Sequence, residues 1–286
     1  MSDRIFLITG PSGFIGYHLF RKLNHSGTQL ITCNRSYEFK MYNIENGQAA
    51  ASFEDIRAYL ANKEVIFVHC ATKFDKTNSP KEVSGLFAAN VLFPMRLLSD
   101  LLAKSEILFL NLNSYWQALE GEVGKSNSDY AKSKIAFSDY LKSIKLKNFK
   151  FTDVFLFDTY GPSDSRDKLI PYLLTAAKSN SSVVLSQSEH LLNFLYIDDV
   201  LEGILSIVED QSREKIYELS SDSSYTIKEI LKSVRETTQT RLSCSWVDRV
   251  PLVEMKEKWN IGPKPSGWRN KISFAEGLAK IWQLEK

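Results

Sequence analysis

Three side chains in one stretch have the types and spacing to move a proton to or from a carbonyl oxygen. Tyr130 and Lys134 are four residues apart, and a helix starting near Tyr130 puts them on one face, one turn apart. An ammonium beside a phenol favours phenoxide and draws the tyrosine pKa down from roughly 10 toward the working pH. Such a tyrosine gives a proton to a carbonyl oxygen, or takes one from an alcohol, while hydride moves on the other side. Ser114 ends the polar run Asn111-Leu112-Asn113-Ser114 that follows an apolar stretch; its hydroxyl is suited to bond the same oxygen. Taken alone, Tyr-x-x-x-Lys is usually an exposed helix face. Its position after the fourth strand–helix repeat, behind a glycine turn, marks this one out.

That turn is Thr9-Gly10-Pro11-Ser12-Gly13-Phe14-Ile15-Gly16. Gly10 permits a tight strand-to-helix turn, Gly13 leaves room for a phosphate near backbone N–H groups, and Gly16 lets the helix approach the sheet. The helix N-terminus adds partial positive charge for a pyrophosphate. Gly10, Ser12, Gly13, Phe14, Ile15 and Gly16 are therefore candidate dinucleotide-binding residues. The second strand ends Thr32-Cys33-Asn34-Arg35-Ser36, without the carboxylate that usually accepts from an NAD ribose. A guanidinium at Arg35 offers a donor fork to a 2′-phosphate. Asn34 and Arg35 thus point to NADPH.

These residues need a scaffold, and the pattern supplies one. Continuous apolar runs at Ile5–Thr9, Leu30–Cys33, Val65–Cys70, Ile107–Leu110 and Phe151–Phe157 read as strands covered on both faces. Helix-length segments at Gly13–Leu23, Phe53–Ala61, Gly85–Ala103 and Tyr130–Ile144 alternate with them. The fold class expected is α/β, a Rossmann-type doubly wound parallel sheet over residues 1–162, with a smaller lobe at 163–286. Part of 183–210 is expected to return to the first domain. In the lobe, Lys168–Ser179, Ile197–Val208 and Phe274–Gln283 read as helices and Val183–Ser186 as a strand.

Composition narrows the class further. With 286 residues, 43% apolar and 24% charged, the chain can bury a full core. A net charge of +2 gives no field for nucleic acid or an anionic membrane. Cys33, Cys70 and Cys244 are scattered, which argues against disulfides and a zinc site. No signal peptide is evident and no stretch approaches the roughly 20 apolar residues of a membrane span. A cytoplasmic location is expected.

The glycine turn, Ser114, and Tyr130 with Lys134 resemble the extended short-chain dehydrogenase/reductase family, which includes nucleotide-sugar epimerases and dehydratases. Val68-His69-Cys70-Ala71, Asn90 opening a long helix, Tyr160-Gly161-Pro162 and Phe194-Leu195-Tyr196-Ile197-Asp198-Asp199-Val200 follow in the same order. A narrower resemblance, to the 4-ketosugar reductases that finish CDP-abequose and CDP-paratose, is carried by Asn111–Gln117, Asp158-Thr159-Tyr160-Gly161-Pro162 and Lys168-Leu169-Ile170-Pro171.

The resemblance implies catalytic Ser114, Tyr130 and Lys134, with Lys134 also on the nicotinamide ribose. It implies cofactor contacts from Cys70, Ala71 and Asn90. Thr72 belongs either to that turn or to the substrate side. Tyr115 either lines the sugar pocket or closes the core; Asp158 touches substrate or caps a turn; Lys168 reaches a phosphate or is solvated. Asn193 replaces an arginine that often clamps the diphosphate. An ungapped alignment would set Asn113 at the hydroxyl position, but Ser114 is the hydroxyl available. Family dehydratases carry Asp-Glu where this chain has Tyr115-Trp116, so dehydration lacks its acid and base.

The activity implied is NADPH-dependent reduction of the C4 ketone of a nucleoside-diphosphate 4-keto-6-deoxy sugar, for a surface polysaccharide. An NAD-dependent 4-epimerase and a non-catalytic NADP-binding regulator are the alternatives. Apolar residues on several faces of Leu86–Leu102, beside the Tyr130 helix, imply the family's four-helix homodimer; a helix buried within one subunit is the alternative. Pro94 should bend that helix or begin a fresh turn.

Overall fold

A computed structural model describes residues 4–44, 52–75, 78–102, 105–187, 189–210, 214–249 and 251–285. The chain runs β1 (Arg4–Thr9), α1 (Phe14–His25), β2 (Leu30–Cys33), β3 (Phe39–Tyr42), α2 (Phe53–Leu60), β4 (Glu64–His69), α3 (Pro80–Phe87), a π-helical turn (Ala88–Leu92), α4 (Phe93–Leu102) and β5 (Glu106–Ser114). A 3-10 turn (Tyr115–Gln117) and the small hairpin β6 (Ala118–Leu119) and β7 (Glu122–Val123) lead to α5 (Asp129–Ser143), β8 (Phe149–Leu156) and β9 (Asp158–Tyr160). Then come α6 (Leu169–Ser179), β10 (Val183–Ser186), β11 (Phe194–Tyr196), α7 (Ile197–Glu209), β12 (Ile216–Leu219), α8 (Ile227–Thr238), β13 (Cys244–Val247) and α9 (Phe274–Leu284).

The main sheet has the order β12-β8-β5-β4-β1-β2-β3, parallel except for β3. The chain leaves β1 in one direction and then crosses to β4 on its other side. A crevice opens where the order reverses, at the carboxyl ends of β1 and β4. Side chains alternate along each strand: Ile5 and Leu7 join the core under α2, α4 and α5, while Phe6 and Ile8 join the core under α1 and α7. The doubly wound sheet expected from the apolar runs is the one observed. Two of its strands, β3 and β12, were not expected: both are four residues long, and their pairing partners are distant or reached through a turn.

The chain comes back to the sheet beyond Pro162. Helix α7 packs on α1, β12 pairs with β8, and one continuous core joins Leu19, Ile204 and Leu219 to Leu173, Ile230 and Leu278 of the lobe. A long segment between β13 and α9 is tied down by buried polar groups. Asp199 accepts from the backbone N–H of Lys271 (3.1 Å) and Ile272 (3.0 Å), and Glu218 from that of Ile261 (2.8 Å). Asp199 thus serves a distant segment, and no side chain caps its own helix.

Helix α3, the π turn and α4 run as one 23-residue helix, Pro80–Leu102, long and apolar enough by those measures alone to cross a membrane. This corrects the expectation that no such stretch exists. Leu86, Phe93, Leu97, Leu98 and Leu101 are instead buried in the molecule. The helix starts before the expected Gly85, because Pro80 is favourable at a helix start; the expected end at Ala103 lies outside the described residues. Pro94 begins a fresh turn, as the second residue of α4, which starts at Phe93 after the π turn. The N–H of Phe93 bonds to the Ala88 carbonyl, five residues back, so the register has already changed where the proline would break it.

Candidate active site

Strand β5 delivers Ser114 to the sheet edge, where its hydroxyl accepts from the N–H of Trp116 (3.3 Å) and its own N–H donates to Gln117 Oε1 (2.9 Å). This reciprocal cap turns the chain sharply out of the sheet. Ser128 caps α5 in its turn, accepting from Ala131 N–H (3.5 Å), and sets Tyr130 and Lys134 one turn apart. Ser114, Tyr130 and Lys134 all line one cavity of about 520 Å³, together with Thr72, Tyr115, Asp158 and Lys168. Asn113 sends its amide elsewhere, to Ser138 (3.1 Å) and Asp153 (2.8 Å), beneath α5.

The charges differ from the simple reading of the pair. Tyr130 and Lys134 are only 7% and 6% exposed. Burial pushes the phenol up to about 12, with a Thr72 hydrogen bond and the Arg166 charge pulling the other way. Burial also lowers the lysine to about 8, opposed by Asp153 and Cys70. Lys134 was expected to pull the phenol down. It does not, because its Nζ is turned to the Leu112 carbonyl (2.8 Å).

The glycine turn meets each steric demand. Gly10 has φ +66°, and a Cβ there would sit 2.7 Å from Ala71 Cα across the β1–β4 crevice. A Cβ on Gly16 would fall 2.2 Å from the Gly10 carbonyl oxygen. Ser12 and Gly13 are exposed at the mouth; Gly13 gives α1 no side-chain cap, and no acidic residue stands in its first turn. The N-terminus holding Phe14 and Ile15 is thus fitted to an external anion, as a dinucleotide pyrophosphate would be. Cys70 lines the cavity, and Ala71 N–H is anchored on Thr9 Oγ1 (3.2 Å). His69 shares a 2.8 Å hydrogen bond with Thr9 Oγ1, and burial keeps its pKa well below the ordinary value.

Two expected cofactor contacts change character. Asn90 lies within the π turn, not at a helix start. Its Oδ1 accepts from Thr72 Oγ1 (3.2 Å) and Lys73 N–H (2.7 Å), and its Nδ2 donates to Lys73 O and Ser133 Oγ (both 2.9 Å). A fully engaged, buried amide has nothing left for a ligand, so Asn90 acts by holding the Thr72–Lys73 turn. Asn34 folds a tight turn through its Oδ1, and its Nδ2 donates to Glu38 Oε2 (2.7 Å). The β2–β3 hairpin therefore returns a carboxylate to the end of β2, where the linear stretch through Ser36 has none. Arg35 is exposed beside it.

On the substrate side, Tyr115 stacks on Phe157 (4.9 Å) and donates to Asp158 Oδ2 (3.3 Å), at once closing the core and lining the cavity. Burial raises the Asp158 pKa, opposed by Lys168, His190 and Arg166 among others. Lys168 Nζ stands 4.0 Å over the Phe74 ring. Phe74 also meets the Tyr130 ring edge-on at 4.9 Å. Asn193 must be corrected: it is fully buried, donates to Ser221 O, Ser223 O and Ser224 Oγ, and accepts from Ser221 N–H. It ties two loops together and does not line the cavity.

Sequence reasoning misses Arg166, which lines the cavity, stacks 4.1 Å over Phe14 and pairs with Asp164 at 2.7 Å. Its position in an irregular loop carries no periodic signal. Among the described residues, no cluster of His, Cys, Asp or Glu could hold a metal.

The model of the NAD dependent epimerase/dehydratase family matches residues 6–220. CDP-abequose synthase of Salmonella muenchen is 27% identical over 298 residues, covering 99% of each chain. The Escherichia coli dTDP-4-dehydro-6-deoxyglucose reductase is 22% identical over 309 residues, covering 96% of this chain and 95% of that one. Among solved structures, UDP-N-acetylglucosamine 4-epimerase from Methanobrevibacter ruminantium superposes with a TM-score of 0.81 at 18% identity, over 99% of this chain and 98% of that one. At that identity the likeness speaks for the fold.

Proposed function

The chain belongs to the NAD dependent epimerase/dehydratase family, and from that premise we propose an NADPH-dependent reductase. Its substrate is the C4 ketone of a nucleoside-diphosphate 4-keto-6-deoxy sugar, and its product a deoxysugar for a surface polysaccharide. One observation carries the reading: Ser114, Tyr130 and Lys134 share a cavity whose wall after Ser114 is Tyr115 and Trp116. That wall offers no acid–base pair for dehydration, leaving carbonyl chemistry. The names of the CDP-abequose synthase and the dTDP-4-dehydro-6-deoxyglucose reductase support the same class of substrate.

A bound reduced nicotinamide supplies hydride to the ketone carbon. The chain does the rest. Gly10, Ser12, Gly13, Phe14, Ile15 and Gly16 would hold the pyrophosphate, Asn34 and Arg35 the adenosine end, and Cys70 and Ala71 the crevice wall. The Ser114 hydroxyl orients the ketone oxygen, and the Tyr130 phenol, protonated at neutral pH, donates to it as charge develops. Lys134, its Nζ seated on Leu112 O at the cavity wall, would hold the nicotinamide ribose. A homodimer through the α3–α4 and α5 faces is part of the proposal; Leu92, 49% exposed, is its apolar centre.

Glu38 beside Asn34 favours a second reading, an NAD-dependent 4-epimerase, because a carboxylate there can accept from a ribose 2′-OH. Incubation with NADPH and a panel of CDP-, GDP- and dTDP-4-keto-6-deoxysugars tests both. Loss of NADPH absorbance with one of them supports the reductase. Inertness toward all of them, with NAD retained through purification and sugar epimers interconverted, replaces it with the epimerase.

A further inference from the structure

On the α5 side of β5 the apolar row Ile107 and Phe109 continues as Asn111 and Asn113. Opposite Asn111 in register, β8 carries Asp153. One Asp153 oxygen accepts from Asn111 Nδ2 (2.8 Å), Asn113 Nδ2 (2.8 Å) and Ser138 Oγ (3.0 Å). Ser138 Oγ accepts a second hydrogen bond from each amide, at 3.1 Å. All four side chains are at most 4% exposed, and the Oδ1 atoms of both asparagines have no partner. Burying a carboxylate is costly, and apolar residues would pack this core more stably.

Lys134 lies one turn before Ser138 on α5, and its Nζ is bound to the carbonyl of Leu112, between the two asparagines. It makes no direct ion pair among the described residues. We propose that Asp153 is a positioning residue for Lys134: its carboxylate, gathered by Asn111, Asn113 and Ser138, is the buried counter-charge that keeps the Lys134 side chain an ammonium seated on Leu112 O.

The titratable groups around Lys134 are Tyr130 on its own helix, His69 on β4, Cys70 just beyond it, and Asp153 on β8. Burial pushes the Tyr130 phenol and the Cys70 thiol up to about 12, and drives the His69 imidazole well below its ordinary value. All three are uncharged at neutral pH, and the charge that most opposes the burial of Lys134 is that of Asp153. Burial raises the Asp153 carboxyl too, while its three donors and Lys142 pull it back. In a low-dielectric interior such a charge acts without direct contact.

The inference rests on the proposed reaction only for its kinetic arm. The primary test pulses the full chain with acetic anhydride over a pH series and reads Lys134 acetylation by mass spectrometry. Asp153→Asn should move the labelling midpoint down by about half a pH unit or more, so labelling at pH 7 quickens about threefold. Asp153→Ser serves the same end should the amide variant not fold. Ser138→Ala removes one of three donors but keeps the carboxyl group, and should move the midpoint less than Asp153→Asn does. An unmoved midpoint in the neutral variants, or an equal shift in Ser138→Ala, overturns the proposal. With a confirmed substrate, the alkaline limb of kcat/KM should also move to lower pH in Asp153→Asn. A labelling shift without turnover on any ketosugar discounts the reductase and leaves this inference standing.

Discussion

Holding Lys134 charged in the core should cost stability, and the cost should titrate. Burial takes the amine from 10.5 to about 8, and at 1.36 kcal/mol per pH unit this is about 3 kcal/mol at pH 7. Between those two values the unfolded chain holds the proton and the folded chain does not. Raising the pH through that window therefore favours the folded state. At pH 9.5 the remaining cost is roughly 1 kcal/mol by the same linkage relation. Lys134→Met keeps an unbranched side chain of similar volume and has nothing to titrate. It forfeits the bond to Leu112 O, about 1 kcal/mol, but that loss does not vary with pH. Urea denaturation of parent and variant at pH 7 and pH 9.5 gives two free-energy gaps. The parent should gain about 2 kcal/mol on the variant between them. A gap that stays constant, or moves the other way, refutes the claim that a buried ammonium is held at the site against its preference.

Tyr130→Phe should cut turnover by about 10²–10⁴-fold while NADPH affinity, followed by fluorescence, stays within about twofold. Spectrophotometric titration should give no Tyr130-dependent tyrosinate below about pH 10, since burial holds the phenol at about 12; a signal that appears near pH 8 and vanishes in Tyr130→Phe contradicts this. Arg35→Ser should raise the KM for NADPH about tenfold or more and spare NADH, whereas Glu38→Gln should do the reverse, weakening NADH. Gly16→Ala puts a Cβ 2.2 Å from the Gly10 oxygen, and should abolish dinucleotide binding measured by calorimetry even where a folded chain is recovered.

What was legible in the sequence was local or periodic. The apolar runs of β1, β4 and β5 announce a sheet because strands covered on both faces need continuous hydrophobicity, and the glycine spacing announces a strand–turn–helix because only glycine clears Ala71 and the Gly10 carbonyl. What stayed hidden depends on partners far along the chain. Glu38 reaches the end of β2 only through a hairpin whose second strand is four residues long. Arg166 is held at the cavity against Phe14, about 150 positions earlier. Asn90 and Asn193 look like ligands until their amides are found fully engaged by Lys73, Ser133, Ser221 and Ser223. An amide's hydrogen bonds are a tertiary property, and no spacing encodes them.

The resting charges bear on the direction of the chemistry. A reductase needs its phenol protonated at the outset, and a phenol held at about 12 is so over the whole neutral range. A 4-epimerase begins by taking a proton, so its phenol must first ionise. From about 12 that step costs about 7 kcal/mol at pH 7, and Lys134, turned to Leu112 O, does not relieve it. The two aids at hand are the Thr72 hydrogen bond and the Arg166 charge, and Arg166 is already paired with Asp164. An epimerase built on these residues would have to recover several kcal/mol from bound ligands before its first step. A reductase recovers nothing, because the alkoxide formed on the sugar is a far stronger base than the phenol, and the proton moves downhill once hydride has arrived. The carboxylate at Glu38 argues for the epimerase's cofactor and the protonated phenol for the reductase's chemistry. Of the two, in the proposed complex the phenol would lie at the bond being made, and the carboxylate only at the far end of the dinucleotide.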